Sequence, residues 1–389
     1  MIKKKIIFLI PTLTMGGGER VVSELSLNLP DSIERIIVLF KNEVFYPYKG
    51  KLISLNLSFS NGFFLKIYYF FKGLRCLKKI VRKEKPDYII AFGFSADLMG
   101  ILAGKNVLVG AHSLWTKVHG GIIEKNLIKM FFNKSQKFIC VSETVAEDLT
   151  NNFGIKKEKI KVIANPINIE KIQKLANSPI ESEYREIFKN PVIINMGRLS
   201  EEKNQYSLIR AFEEIKNNIK TVKLVILGDG EKRIFLEKIV KELGLENSIY
   251  FLGRQDNPFK FLAKAKAFVS SSRREGLPCS ILEAMACGLP IISADCKSGP
   301  REILAPETDI KHQAKDIEYA EFGILTPIFD KKIYKPTEPL AESEKKLAEA
   351  VIKVLADKKL SDTLAEKSKQ RAKDFDVKKI IKKWDFLFY

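Results

Sequence analysis

The stretch REGLPCSILEAMACGLP, Arg274 to Pro290, sets Glu275 and Glu283 eight residues apart around a glycine turn. Carboxylates accept hydrogen bonds from sugar hydroxyls, while backbone N–H groups at a helix start favour phosphate. An apolar run, Ala267–Ser270, feeds the turn, and a helix is predicted to begin near Pro278. Glu275 then precedes that helix, Gly276 and Leu277 offer amides beside its N-terminus, and Glu283 lies on it. Such a line of groups can read a sugar, a diphosphate and a ribose. The same spacing also fits a capped amphipathic helix with one exposed acid.

Two further segments carry charge or glycine where a phosphate could sit. MGRLSEEKNQ, Met196 to Gln205, follows an apolar run and holds Arg198 and Lys203 near the next helix start. A guanidinium fork with an ammonium suits a diphosphate, although either residue alone is an ordinary surface charge. MGGGER, Met15 to Arg20, leads from the opening apolar run into a helix. Its glycines, Gly16 and Gly17 among them, let backbone approach a ligand at a helix N-terminus. A tight strand-to-helix turn is the equal alternative, because neither the GxGxxG nor the GxxxxGK[ST] spacing is met.

The elements that must position these groups alternate. Apolar runs read as strands over Lys5–Ile10, Ile36–Phe40, Tyr88–Phe92, Val107–Ala111 and Phe138–Val141. A second set covers Val192–Asn195, Lys223–Leu227, Ser248–Leu252, Ala267–Ser270 and Pro290–Ala294. Amphipathic helices fall between them, as at Arg20–Leu29, Asn204–Ile219 and Lys232–Leu243. Alternation of this kind means parallel sheets wound on both faces, about five strands on each side of Asn165-Pro166. Ligands of such sheets bind beyond the carboxyl ends of the strands, which for two facing domains is the cleft between them. A last helix is expected from about Leu360 to Tyr389, its aromatics Phe375, Trp384 and Phe386 covering a surface.

The chain has 389 residues, 46% hydrophobic and 29% charged, with a net charge of +19. The first two figures describe a globular protein, and the third calls for an anionic partner. Five scattered cysteines without CxxC spacing argue against a disulfide framework or structural zinc and fit a reducing cytosol. Three histidines, His112, His119 and His312, make no His-rich metal site. The apolar run Ile6–Ile10 is too short for a signal peptide core and reads as a first strand.

Phe63 to Lys85, FFLKIYYFFKGLRCLKKIVRKEK, has eight basic residues and one acid. As a helix it places Phe63, Ile67, Phe70, Leu74, Leu77 and Val81 on one stripe and Lys72, Arg75, Lys79 and Arg82 on another, with Tyr68 among its aromatics. That pattern reads as an interfacial membrane element, or as a helix packed on a sheet that exposes its lysines.

Taken together, the chain resembles a retaining family-4 glycosyltransferase of the GT-B fold. The family's E-x7-E element matches Glu275 and Glu283, its GR…K phosphate clamp matches Arg198 and Lys203, and its glycine-rich first loop matches Gly16–Gly17. LGDGE, Leu227–Glu231, matches another usual segment, and ADCKSGPREIL, Ala294 to Leu304, resembles bacterial N-acetylgalactosamine transferases. The resemblance implies two Rossmann-like domains facing a cleft. Residues 1–165 with about 372–389 would bind acceptor, 166–190 would link, and 191–371 would bind a nucleotide sugar.

Within that frame Arg198 and Lys203 would neutralise a leaving diphosphate in place of a metal ion, and no metal or cofactor is expected. Glu283 would hold the ribose, Glu275 with the amides of Gly276 and Leu277 the transferred sugar, and Arg254 would lie by the base. His112, or nearby His119, would approach the donor sugar. Tyr68, Lys72, Arg75, Lys79 and Arg82 would contact the membrane or an acceptor's pyrophosphate.

The implied partners are a UDP-sugar, a lipid-pyrophosphate-linked or lipopolysaccharide-type glycan and an anionic membrane surface, at the cytoplasmic face and without nucleic acid. A soluble transferase of the sucrose-phosphate or glycogen synthase type is the alternative within the fold. A basic nucleic-acid-binding module explains the charge but not the motifs, and a dehydrogenase lacks its GxGxxG fingerprint.

Overall fold

The computed structural model describes residues 4–14, 16–57, 62–118, 121–330 and 332–388. They form two compact units, Met1–Pro166 with Val377–Tyr389, and Ile167–Asp376.

The first unit holds a parallel sheet of seven strands: β1 (Lys4–Ile10), β2 (Ile33–Leu39), β3 (Lys51–Ser54), β4 (Tyr88–Phe92), β5 (Val107–Ala111), β6 (Lys137–Cys140) and β7 (Ile160–Val162). Their order is β3-β2-β1-β4-β5-β6-β7, so the winding direction reverses between β1 and β4. Helices cover both faces, which is why the central strands are continuous apolar runs: Ile6 to Leu9 and Ile36 to Leu39 are fully buried. The edge strands β3 and β7 were missed because they are short and largely unburied, KLIS and IKV, with no apolar run to mark them.

The second unit repeats the plan with β8 (Val192–Met196), β9 (Lys223–Leu227), β10 (Ile249–Gly253), β11 (Ala267–Ser270), β12 (Ile291–Ala294), β13 (Glu318–Ala320) and β14 (Gly323–Thr326). The order β10-β9-β8-β11-β12-β14-β13 reverses between β8 and β11, and only the β13–β14 pair is antiparallel. The stretch expected to link the domains instead packs into this unit. Residues Ile169–Ala176 form a helix, and Ile172 on it, with Ile180 and Ile187 further along the stretch, is buried.

The single last helix expected from Leu360 is broken. Helix Lys358–Ala372 ends in a 3-10 turn, Asp376 is extended and bridges to Ile167, and a new helix runs Val377–Asp385. Phe375 and Trp384 are buried as expected, but Phe386 is 79% exposed, and Phe388 fills the core of the first unit instead. Two residues on, Phe388 comes back under Tyr88, ring centres 5.3 Å apart.

The helix Phe63–Glu84 also departs from its expected stripe. Leu74 and Leu77 are buried, but the first turns are not: Ile67 is exposed, as are Phe64, Leu65, Tyr68 and Phe71, with Phe64 at 85%. Burial begins at Gly73 and Leu74, Tyr69 and Phe70 are half-buried, and the side chain of Phe63 lies outside the described residues. Lys72, Arg75, Lys79 and Arg82 are all exposed. No helix among the described residues is long and apolar enough to cross a membrane.

Candidate functional site

In a doubly wound sheet the loops after the two strands at the reversal diverge, and the gap between them takes ligand. In the second unit those are the loops after β8 and β11. The first carries Arg198 and Lys203. Asn204 is left-handed at φ 49° and ends the loop, and Gln205 Nε2 donates to the Arg198 carbonyl at 3.1 Å, so the backbone is fixed while the Arg198 side chain stays exposed. Gly228 of LGDGE is needed for this: its φ is +127°, and a Cβ there would come 2.0 Å from the Gly197 carbonyl oxygen. Any side chain would push the loop bearing Arg198 off β9.

The loop after β11 delivers Glu275 to the same place. Lys203 Nζ lies 2.5 Å from Glu275 Oε1, and Ser272 Oγ donates to that oxygen at 2.6 Å. Ser271 Oγ in turn donates to the Lys203 carbonyl at 2.9 Å. The turn at Gly276 is clasped by Ser298, whose Oγ donates to the Gly276 carbonyl at 2.7 Å. Gly299 beside it has φ +90° and would bring a Cβ 2.8 Å from that same oxygen. The helix Cys279–Ala286 follows, with Gly276 and Leu277 buried at its start. Glu283 is 2% exposed, so the alternative of an amphipathic helix with one exposed acid does not hold: Ile281 to Ala286 are all turned inward. Arg254 is exposed just beyond the end of β10.

Sequence reasoning did not single out the serines. Three of them run from Ser270 to Ser272 at a strand's carboxyl end, and that cluster was the available signal. It also missed two buried arginines that pin the long loops of this unit. Arg301 Nη2 reaches Asp295 at 2.6 Å and Glu318 at 2.7 Å, tying the stretch before β13 to the end of β12. Arg210, fully buried, pairs with Glu344 at 3.0 Å and donates to the carbonyls of Pro336 at 2.9 Å and Pro339 at 3.0 Å.

The first unit holds the remaining candidates. Gly16 caps the helix Gly17–Asn28 after β1; a Cβ at Gly17 would meet nothing within 4 Å, whereas one at Gly16 would run into the Glu19 carboxylate. His112 directly follows β5, its ring 5.2 Å from that of Phe92. Nδ1 is buried with no hydrogen bond among the described residues, and burial lowers the imidazole pKa to about 4, so the ring is neutral at physiological pH. His119 lies outside the described residues.

Asp97, in the first turn of the helix Phe94–Ala103, is 1% exposed, and its Oδ1 has no partner among the described residues. Burial raises its pKa well above the usual carboxylate range. The folded state therefore holds a proton that the unfolded chain releases above about pH 4, and stability is lost as pH rises through the folded pKa. Relative to Asp97→Asn, the wild type is expected to lose stability between pH 4 and pH 8. Paired denaturant titrations check this, and parallel pH profiles would refute it.

A model of Glycosyltransferase Family 4 matches residues 15–171, and one of Glycosyl transferases group 1 matches 179–318. An uncharacterised glycosyltransferase of Methanocaldococcus jannaschii is 39% identical over 328 residues, 79% of this chain and 80% of that protein. The chain belongs to the glycosyltransferases. This glycosyltransferase is also 28% identical, over 97% of both chains, to an N-acetylgalactosamine-N,N'-diacetylbacillosaminyl-diphospho-undecaprenol 4-alpha-N-acetylgalactosaminyltransferase of Campylobacter jejuni. Its fold is that of HepE of Anabaena, solved with UDP and glucose (TM-score 0.75, 20% identity, 99% of each chain). Sucrose-phosphate synthase of Thermosynechococcus elongatus gives a TM-score of 0.75 at 17% identity, over 99% of the transferase and 98% of the synthase. The transferase is thus an enzyme of the GT-B type, which sets aside the nucleic-acid-binding module and the dehydrogenase.

Proposed function

We propose that this glycosyltransferase moves N-acetylgalactosamine, N-acetylglucosamine or a hexose from a UDP-sugar to a lipid-linked or lipopolysaccharide-type glycan, with retention of configuration, at the cytoplasmic face of the membrane. The observation that carries the donor half is the meeting of Lys203 and Glu275 where the second sheet reverses. An ammonium with Arg198 nearby in sequence suits a diphosphate, and a carboxylate beside it suits sugar hydroxyls. As the sugar–phosphate bond breaks, negative charge grows on the diphosphate, and cations already in place stabilise it without reorganisation. The amides of Gly276 and Leu277 at the helix start act in the same direction. Glu283 takes the ribose and Arg254 lies by the base; in the first unit the glycines at 16 and 17 and neutral His112 are the remaining donor-side candidates. HepE, of the same fold, binds UDP.

The acceptor half is supported by the relatives. The Campylobacter jejuni protein is named for an undecaprenol-diphosphate-linked acceptor, and a 1,6-galactosyltransferase of Escherichia coli, 27% identical over 66% of this chain, for lipopolysaccharide. The exposed start of the helix Phe63–Glu84 supports a peripheral membrane location. Phe64, Tyr68 and Phe71 can enter the interface while Lys72, Arg75, Lys79 and Arg82 meet anionic headgroups or the acceptor's pyrophosphate. Each cation near an anionic surface contributes about 1 kcal/mol. Reversing those four charges is expected to abolish sedimentation with phosphatidylglycerol liposomes at low salt; unchanged binding would end the membrane reading.

The function itself is tested by incubating the enzyme with a panel of UDP-sugars and a lipid-linked glycan extract. Mass gain on the lipid fraction is expected with one UDP-sugar. Transfer only to small soluble acceptors would replace this reading with that of a soluble transferase.

A further inference from the structure

Lys203 and Glu275 stand 72 positions apart in the chain, yet they neutralise each other. Their side chains keep 24% and 10% of their surface, so solvent screens the pair only in part. A diphosphate drawn to Lys203 meets a carboxylate already on the ammonium, and like charges oppose its arrival. The two partners are not held equally. Lys203 is fixed at its backbone by Ser271, and its stem lies over Gly197, where a Cβ would be 3.5 Å from its Cδ; its ammonium is the end that can turn. Glu275 has a second holder, because Ser272, 3% exposed, donates to the same Oε1 at 2.6 Å.

We propose that Glu275 stands in for phosphate on Lys203, and that donor binding exchanges the carboxylate for the diphosphate. This rests on the reading of the second unit as a nucleoside-diphosphate site. Lys203 turns to the diphosphate, Ser272 keeps Glu275 in position, and the released carboxylate accepts the sugar's hydroxyls. UDP alone takes the ammonium and leaves Glu275 without a cation, whereas the intact donor brings hydroxyls to it. The exchange thus favours UDP-sugar over spent UDP and helps to expel the product.

Calorimetric titration of the full chain with UDP tests this. Glu275→Gln removes the competing charge but keeps an oxygen for Ser272, so UDP is expected to bind about three- to tenfold tighter, less so at high salt. The gain is expected to vanish on a Lys203→Met background. Ser272→Ala is expected to leave UDP affinity within about twofold while lowering kcat, as befits a positioning residue. If the wild type binds UDP but Glu275→Gln binds it no tighter, or if the gain survives without Lys203, the exchange is wrong and the donor reading stands. If the wild type does not bind UDP at all, both fall.

Discussion

Replacing Arg198 and Lys203 together by alanine is expected to lower turnover by about a thousandfold or more and to leave the fold intact. Removing one preorganised donor to a developing negative charge typically costs about 100- to 1,000-fold, and two acting on one leaving group do not simply add. The fold survives because Arg198 is exposed and Lys203 keeps a quarter of its side-chain surface, so neither fills the core. The loop that bears them is held by contacts that their side chains do not make, Gln205 Nε2 to the Arg198 carbonyl and Gly228 close against Gly197. Steady-state rates with saturating UDP-sugar, alongside a thermal melt, check it. A double variant within tenfold of wild type would refute the clamp, as would a chelator that stops the wild-type reaction.

Glu275→Ala is expected to abolish measurable transfer, a loss of about a thousandfold or more, with the melting temperature nearly unchanged. Its carboxylate is the acidic group that the loop after β11 sets beside Lys203, and a sugar seated there loses its hydroxyl acceptor when it goes. The variant leaves Lys203 with about a quarter of its side-chain surface in water, so the ammonium is not stranded in a closed core. Its UDP affinity is expected to be no weaker than that of the wild type, which separates loss of sugar recognition from loss of the nucleotide site. Full activity would remove Glu275 from the chemistry.

The helix Phe63–Glu84 marks a limit of periodicity. Its hydrophobic spacing extends over the whole helix, but burial reaches only the half that meets other elements. Nothing in the spacing tells a stripe that is covered from one that is not. The broken C-terminal segment makes the same point. The pattern from Leu360 onward is helical throughout, and the break at 373–376 exists because Asp376 pairs in a bridge with Ile167 and Phe375 is buried.

What the residue order determined by itself was local: central strands buried on both faces and so written as apolar runs, glycines where backbones approach closely, and the acids and bases in the loops after strands. Family membership followed from those loops. What only the tertiary structure decided was which of these groups meet. Lys203, Glu275 and Ser272 come together because β8 and β11 are neighbours in the sheet, and strand order is set by packing between distant parts of the chain. The same holds for Arg210 with Glu344, 134 positions apart. A charge's partner, and therefore its work, depends on contacts that no local pattern records.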